Sequence, residues 1–279
     1  MAVMRTLLFA AIGASLVLAP AAARSAATSA DIVHFKSQSL DLGGELFKPE
    51  GKGPFPAVLY NHGSAPGMLN SQASAAIGPL FAQNGWVFFM PYRRGQGLSA
   101  DAGSYIVDEI EAARRRGGKL EGAATMTRLL RTDHLQDQLA ALEWLASQSF
   151  VQADRIAVAG NSFGGVEAIL GAAHGRYCAA VDASGGAESW SDAPELRELM
   201  KAAVKDSNTP TFFFQAENDF DLSPSKVLAA EMKATGKDAE IKIYARFGST
   251  HKDGHSFAYR GSAVWFPDVI AFLQKHCVQ

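Results

Sequence analysis

The tightest constraint on this chain is the segment Arg155-Ile156-Ala157-Val158-Ala159-Gly160-Asn161-Ser162-Phe163-Gly164-Gly165. A short apolar run that suits a buried strand passes through G-x-S-x-G directly into a helical pattern carried by Val166, Ile169 and Leu170. A serine placed there occupies a sharp, strained turn, and a side chain at position 160 or 164 would collide with the adjoining strand or helix. The pattern therefore demands a strand, a cramped bend and a helix in immediate succession. It fixes Ser162 as a candidate nucleophile and the N–H of Phe163, at a helix N-terminus, as a candidate oxyanion donor.

The rest of the chain has the same rhythm. Asp31 to Ser37 and Leu40 to Phe47 read as two strands joined by a tight turn, and the stretch Pro49 to Pro56 is a connector. Four apolar runs then suit buried parallel strands: Ala57 to Tyr60, Trp86 to Met90, Ile156 to Ala159 and Ala179 to Ala183. Thr211 to Gln215 and Glu240 to Tyr244 bring the expected sheet to about eight strands. Helical spacing marks 129–146, 163–173, 224–234 and 263–275. The expected class is α/β, a mostly parallel sheet flanked by helices. Residues 98–126, rich in mixed charge, read as a solvated loop or short helix, and residues 185–208 read as a lid-like excursion.

Residues 1–23 read as a signal peptide, because Arg5 precedes an apolar run from Leu7 to Leu18 and Ala21-Ala22-Ala23 offers a cleavage site. That run is shorter than the ~20 residues of a spanning helix. The expectation is export to the periplasm or the extracellular space without a stable membrane anchor, with 24–30 as a flexible leader and 31–279 as one domain. With 26 Lys+Arg against 28 Asp+Glu the formal charge is −2, which excludes a polybasic nucleic-acid binder. The two cysteines, Cys178 and Cys277, lack metal-ligand spacing and either pair or stay as inert thiols.

A serine hydroxyl needs a base and an acid that orients the base, expected here in the order Ser, Asp or Glu, His. Both partners should follow late strands. Asp219 and Asp221 follow Thr211 to Gln215, and His251 and His255 follow Glu240 to Tyr244. Asp219 is preferred because Asp221 is nearer the next helix, where a carboxylate caps. His255, between Gly254 and Ser256-Phe257, is preferred over His251. The second oxyanion donor is assigned to the N–H of Ser64 in the loop Asn61-His62-Gly63-Ser64, with His62 bonding to loop backbone. Trp190, with Phe220 and Trp265 as neighbours, is a candidate wall of an acyl pocket.

With these motifs in view, the sequence resembles the α/β-hydrolases and, among them, the dienelactone hydrolase-like family. The likeness extends over roughly 33–272 and rests on Asn61-His62-Gly63, Tyr92-Arg93-Arg94-Gly95-Gln96-Gly97, Gly160-Asn161-Ser162-Phe163-Gly164-Gly165, Asn218-Asp219 and Gly254-His255-Ser256-Phe257-Ala258. It implies an eight-stranded α/β-hydrolase sheet and supports Ser162, Asp219 and His255 over their neighbours. The family uses a cysteine nucleophile where this chain has Ser162. It also places a substrate-holding arginine where this chain has Tyr259, with Arg260 one residue later as the substrate-binding candidate. Arg93-Arg94 and Asp154-Arg155-Ile156 also resemble prolyl-oligopeptidase-type catalytic domains, although no propeller-sized segment stands ahead of them in the sequence.

The expected activity is cleavage of small carboxylic esters through an acyl-enzyme, with no metal or organic cofactor. Peptidase or amidase chemistry is the alternative, and a non-catalytic binding protein of the same fold is the more distant one.

Overall fold

The computed structural model describes residues 29–66 and 68–278, so the expected signal peptide and most of the leader lie outside the described residues. The strands are β1 Asp31–Ser37, β2 Leu40–Phe47, β3 Phe55–Asn61, β4 Val87–Pro91, β5 Val151–Asn161, β6 Ala180–Ala183, β7 Thr211–Ala216 and β8 Ala239–Tyr244. They form one sheet in the order β1-β2-β4-β3-β5-β6-β7-β8. β1 and β2 pair antiparallel, β2 joins β4 antiparallel, and β4, β3, β5, β6, β7 and β8 run parallel.

Burial on both faces explains why the central strands are continuous apolar runs rather than alternating ones. In Phe212-Phe213-Phe214 the first and third rings pack into one core cluster and the middle ring into another, as the period of two requires. β3 divides in the same way, with Val58 and Tyr60 on one face and Ala57 and Leu59 on the other.

The helices are α1 Met68–Gln83, α2 Ile106–Arg131, α3 Asp133–Ala146, α4 Phe163–His174, α5 Pro194–Asp206, α6 Ser223–Ala234, α7 His251–His255, α8 Phe257–Arg260 and α9 Ser262–Cys277. Three differences from the sequence reading stand out. The pattern read as one helix over 129–146 is two, because Leu129 and Leu130 end α2 and the non-helical Thr132 (φ −112°, ψ −88°) separates it from α3. The stretch read as a solvated loop or short helix holds most of a 3₁₀ turn at Gly97–Ala102 and most of the long α2. The lid-like excursion holds α5, whose Leu196, Met200, Ala203 and Val204 recur at helical spacing and are buried.

α2 is not straight. Gly118 has φ +79° and ψ −169°, and a Cβ on Gly122 would lie 3.3 Å from Arg114 Cβ and 3.4 Å from the Ile110 carbonyl oxygen. Twelve residues of straight helix would part 110 from 122 by ~18 Å, so the two limbs of α2 double back against each other.

Cys178, ahead of β6, is disulfide-bonded to Cys277 at the end of α9 across 99 residues of sequence, with Cα atoms 5.2 Å apart. This resolves the two open fates of the cysteines and staples α9 to the centre of the sheet. Among the described residues no helix is long and apolar enough to cross a membrane. A loop of this length constrains the unfolded chain by up to ~4.7 kcal/mol in the chain-entropy picture. The double substitution Cys178→Ala, Cys277→Ala should therefore lower unfolding stability by ~2–5 kcal/mol in urea melts; unchanged melts would show that the bond adds nothing.

Candidate active site

The parallel registers bring the carboxyl ends of the central strands level. Asn61 pairs with Gly160, Asn161 with Ala183, and Ala183 with Phe214. The loops after β3, β5, β6 and β7 therefore emerge along one edge, where open α/β sheets collect their ligands.

Ser162 occupies the bend between β5 and α4 with φ +56° and ψ −121°, a region that non-glycine residues rarely adopt. Such a conformation costs of order 1–3 kcal/mol and persists only where its surroundings over-determine it. Here they do. A Cβ at Gly160 would strike the Gly164 carbonyl, and one at Gly164 would strike the Asn61 carbonyl at the end of β3. The Ser162 N–H donates to the Ala183 carbonyl at 2.9 Å, and the Val166 N–H donates to the Ser162 carbonyl at 3.1 Å. As the first residue of α4, Phe163 has an N–H without an intrahelical acceptor.

The loop after β3 lies beside this bend, since a Cβ on Gly63 would stand 3.6 Å from Ser162 Cβ. The Gly63 carbonyl accepts from His62 Nδ1 at 2.8 Å and from Arg93 Nη2 at 2.6 Å, and His62 Nε2 accepts from the Arg93 N–H at 3.3 Å. These bonds assign the Nδ1–H tautomer of a neutral ring. Burial, then the Arg93 charge, holds the His62 pKa well below its ordinary value. His62 thus bonds to loop backbone as its sequence position suggests. The Tyr105 hydroxyl donates to the Ser64 carbonyl, so both residues after Asn61-His62 are tied down through their carbonyls.

Behind the loop, Arg93 Nη1 meets Glu167 Oε2 of α4 at 2.6 Å, with the side chains 4% and 1% exposed. Burial pushes the Glu167 carboxyl up to about 7 despite the guanidinium beside it. Arg94 turns away to grip the buried Asp137 of α3 through Nε at 2.9 Å and Nη2 at 2.7 Å. The consecutive arginines after β4 thus serve two different elements.

Asp219 follows β7 and His255 ends α7. His255 Nδ1 donates to Asp219 Oδ1 at 2.8 Å. Asp219 also accepts from the Phe220 N–H at 2.7 Å and from Gln215 Nε2 at 2.9 Å. Burial by itself would raise the Asp219 carboxyl, but the His255 bond and charge, with bonds from Ser184 and Gln215, hold it below its ordinary value. Burial likewise opposes the His255 cation, and the Asp219 bond and charge, aided by Glu188, outweigh it and raise the imidazole. His255 Nε2 is buried and has no hydrogen-bond partner among the described residues.

The alternatives weighed in the sequence take other work. The Asp221 carboxylate accepts from the Ser223 N–H at 2.7 Å at the start of α6, a capping contact. His251 Nδ1 lies 3.2 Å from the Asp219 carbonyl oxygen. Trp190 and Arg260 are taken up by other contacts. The Trp190 ring is buried in a core cluster with Leu196 and Met200, because the turn after β6 folds it under α5. Arg260 is exposed, 3.4 Å from Asp253 and stacked over Phe247, because α8 turns it outward. Trp265 is a core residue stacked on Phe214. Of the proposed aromatic neighbours, Phe220 alone reaches the imidazole, its ring edge-on to His255 at 5.3 Å.

Two further buried polar residues support the site. The Asn218 side chain donates to the Phe247 and Thr250 carbonyls at 3.0 and 2.7 Å and accepts from the Phe247 N–H at 2.8 Å, clamping the β8–α7 loop to the β7 turn. Asp182, fully buried on β6, accepts from the Gly185 N–H at 2.7 Å, and burial lifts its carboxyl to about 7. An acid inside the apolar run Ala179 to Ala183 was the available signal.

A strained serine on a strand-to-helix bend, an orphan helix N–H and a carboxylate-held imidazole at the carboxyl edge of such a sheet accompany an α/β-hydrolase fold. The model of the dienelactone hydrolase family matches residues 42–270, and the chain belongs to that family. No curated protein matches the sequence. Among solved structures, the acylaminoacyl peptidase of Pyrococcus horikoshii is similar at a TM-score of 0.62 and 20% identity, covering 89% of this chain and 41% of the peptidase. This chain thus spans about two fifths of that enzyme. A dienelactone hydrolase candidate from Klebsiella pneumoniae gives 0.60 at 19% identity, covering 85% and 98%. The esterase Est22 gives 0.64 at 15% identity, covering 88% and 80%. These likenesses show the fold.

Two expectations follow from the geometry. In Asp219→Asn the contacts that raise the imidazole are weakened while burial remains, so the His255 pKa should fall from above 6.5 to below it in an NMR titration; an unmoved pKa would refute the role of the bond. Arg93→Met leaves Glu167 buried and unpaired and should cost ~3–5 kcal/mol in urea melts, with Arg93→Met, Glu167→Met recovering most of the loss. A double variant no better than the single one would refute that account.

Proposed function

We propose that this hydrolase cleaves carboxylic esters of small substrates through an acyl-enzyme on Ser162. His255 Nε2 takes the Ser162 Oγ proton as the oxygen attacks the ester carbonyl. The Phe163 and Ser64 N–H groups receive the developing oxyanion. Asp219 holds the imidazole in the Nδ1–H tautomer and stabilises its cation. Collapse of the tetrahedral intermediate breaks the bond to the alcohol oxygen, which leaves with the proton from Nε2. Water, deprotonated by the same nitrogen, then attacks the acyl-serine ester, and the second collapse returns the proton to Oγ as the acid departs. The sequence also supports export through residues 1–23 to the periplasm or the extracellular space, and the Cys178–Cys277 bond suits an oxidising compartment.

The observation that carries the reading is the pairing of His255 Nδ1 with a buried carboxylate at 2.8 Å while Nε2 stays buried, with no hydrogen-bond partner among the described residues, on the sheet edge that bears the strained serine. An imidazole so held has one free basic nitrogen. Because its pKa is raised, the base is protonated on the acid side, and kcat/KM should fall as pH drops through a value above 6.5.

Ser162→Ala should retain the wild-type melt and lose p-nitrophenyl ester hydrolysis by about 10⁴-fold or more, together with labelling by a fluorophosphonate. Retained turnover would refute the assignment. Screening the esters against aminoacyl-nitroanilides separates esterase from peptidase or amidase activity, and an unlabelled, inactive wild type would point to a binding protein.

A further inference from the structure

His255 Nε2 has one charged neighbour besides its expected partner. Glu188 Oε2 stands 3.9 Å from it, on the turn between β6 and α5, with the glutamate side chain 47% exposed. That turn is built and held. The Ser189 N–H donates to the Gly186 carbonyl at 2.9 Å, the Ala193 N–H donates to the Ser189 carbonyl at 2.9 Å, and the Ser189 hydroxyl lies 3.6 Å from Met126 Sδ of α2.

Beyond Glu188 the same turn faces the doubled-back limbs of α2 across a cavity of about 90 Å³. It is lined by the apolar Ile110, Ala123 and Met126, by the acids Glu188 and Asp192 and by the cations Lys119 and Arg114. Arg114 is paired with Glu111 at 2.9 Å, and of the charged groups in the lining Glu188 is the one placed beside the imidazole. The volume suits a group of a few heavy atoms, since about 10–15 Å³ by this measure holds one water.

In the reaction proposed above, Nε2 hands its proton to the departing oxygen, so whatever is attached to that oxygen lies next to Nε2. Glu188 and the cavity are then on the leaving-group side. Phe220 packs edge-on against the same imidazole and is 38% exposed, adding an aromatic ring of the kind that attracts ammonium groups.

We propose that Glu188 is a specificity-determining residue, selecting esters whose alcohol portion carries an ammonium group on a short stem, with the cation at the Glu188 carboxylate and its alkyl substituents toward the cavity against α2. The proposal rests on the ester-hydrolase reading of Ser162 and His255. Its selectivity comes from charge, because a carboxylate gains little from a neutral group of equal size.

The experiment compares butyrylcholine with 3,3-dimethylbutyl butyrate, which replaces the quaternary nitrogen with carbon at equal shape. The expected kcat/KM ratio favours the choline ester by about tenfold, a difference of ~1.4 kcal/mol. In Glu188→Gln the ratio should fall to within about twofold of one, and in Glu188→Lys it should invert. A wild-type ratio near one, or a ratio that Glu188→Gln leaves unmoved, overturns the proposal while the ester reading stands. If neither ester is cleaved and a fluorophosphonate fails to label Ser162, the ester reading falls and takes the proposal with it.

Discussion

The architecture turns on the crossing at Gly160-Asn161-Ser162-Phe163-Gly164, where β5 enters α4 against the end of β3. Neither position 160 nor position 164 has room for a single added carbon. That closeness presses the helix N-terminus onto the sheet edge, holds Ser162 at φ +56° and brings the β3 loop to the same spot. Strain of this size survives because adjacent strands pair on both sides, β3 through Asn61 with Gly160 and β6 through Ala183 with Asn161. The functional edge follows from close packing, and its chemistry follows from which side chains the neighbouring loops deliver.

Delivery relies on buried polar groups whose partners come from distant sequence. Asn218 fastens the loop that carries His255 to the turn that carries Asp219, using both ends of one amide. Arg93 joins the β3 loop to α4 through the Gly63 carbonyl and Glu167. Each group is costly to bury alone and inexpensive once satisfied. That asymmetry makes a small number of polar contacts decisive for geometry although the apolar core supplies most of the driving force. It also separates the two consecutive arginines, since Arg93 serves the loop beside Ser162 while Arg94 anchors α3 through Asp137.

Much of this was legible in the residues. The strands β1 and β2 follow the predicted bounds, and the buried parallel strands differ from them mainly at their ends, because an apolar run bounded by Gly, Pro or Asn has few other fates. The helical residues from Met68 to Gln83 escaped notice since their Ala- and Ser-rich pattern has no clear polar face and includes Pro79. α2 was obscured by charge on all sides and by the Gly118 reversal. α5 was readable, for Pro194 at its start and buried positions at 196, 200, 203 and 204 give an ordinary amphipathic pattern. For Trp190 and Arg260 residue type suggests a role, whereas direction depends on packing around α5 and on the turn of α8.

The order of residues specifies local matters: which runs can be buried strands, which bend must be cramped, and which serine, acids and histidines stand at strand ends. Backbone sterics and side-chain periodicity act over a few residues, so they leave their mark in the order of the letters. Packing in three dimensions made the partnerships. It paired Asp219 with His255, set Asp221 against the start of α6, joined Cys178 to Cys277, buried Trp190, and put Glu188 beside the imidazole. Those choices depend on distances between segments tens of residues apart, fixed only when the sheet registers and the helices pack across it.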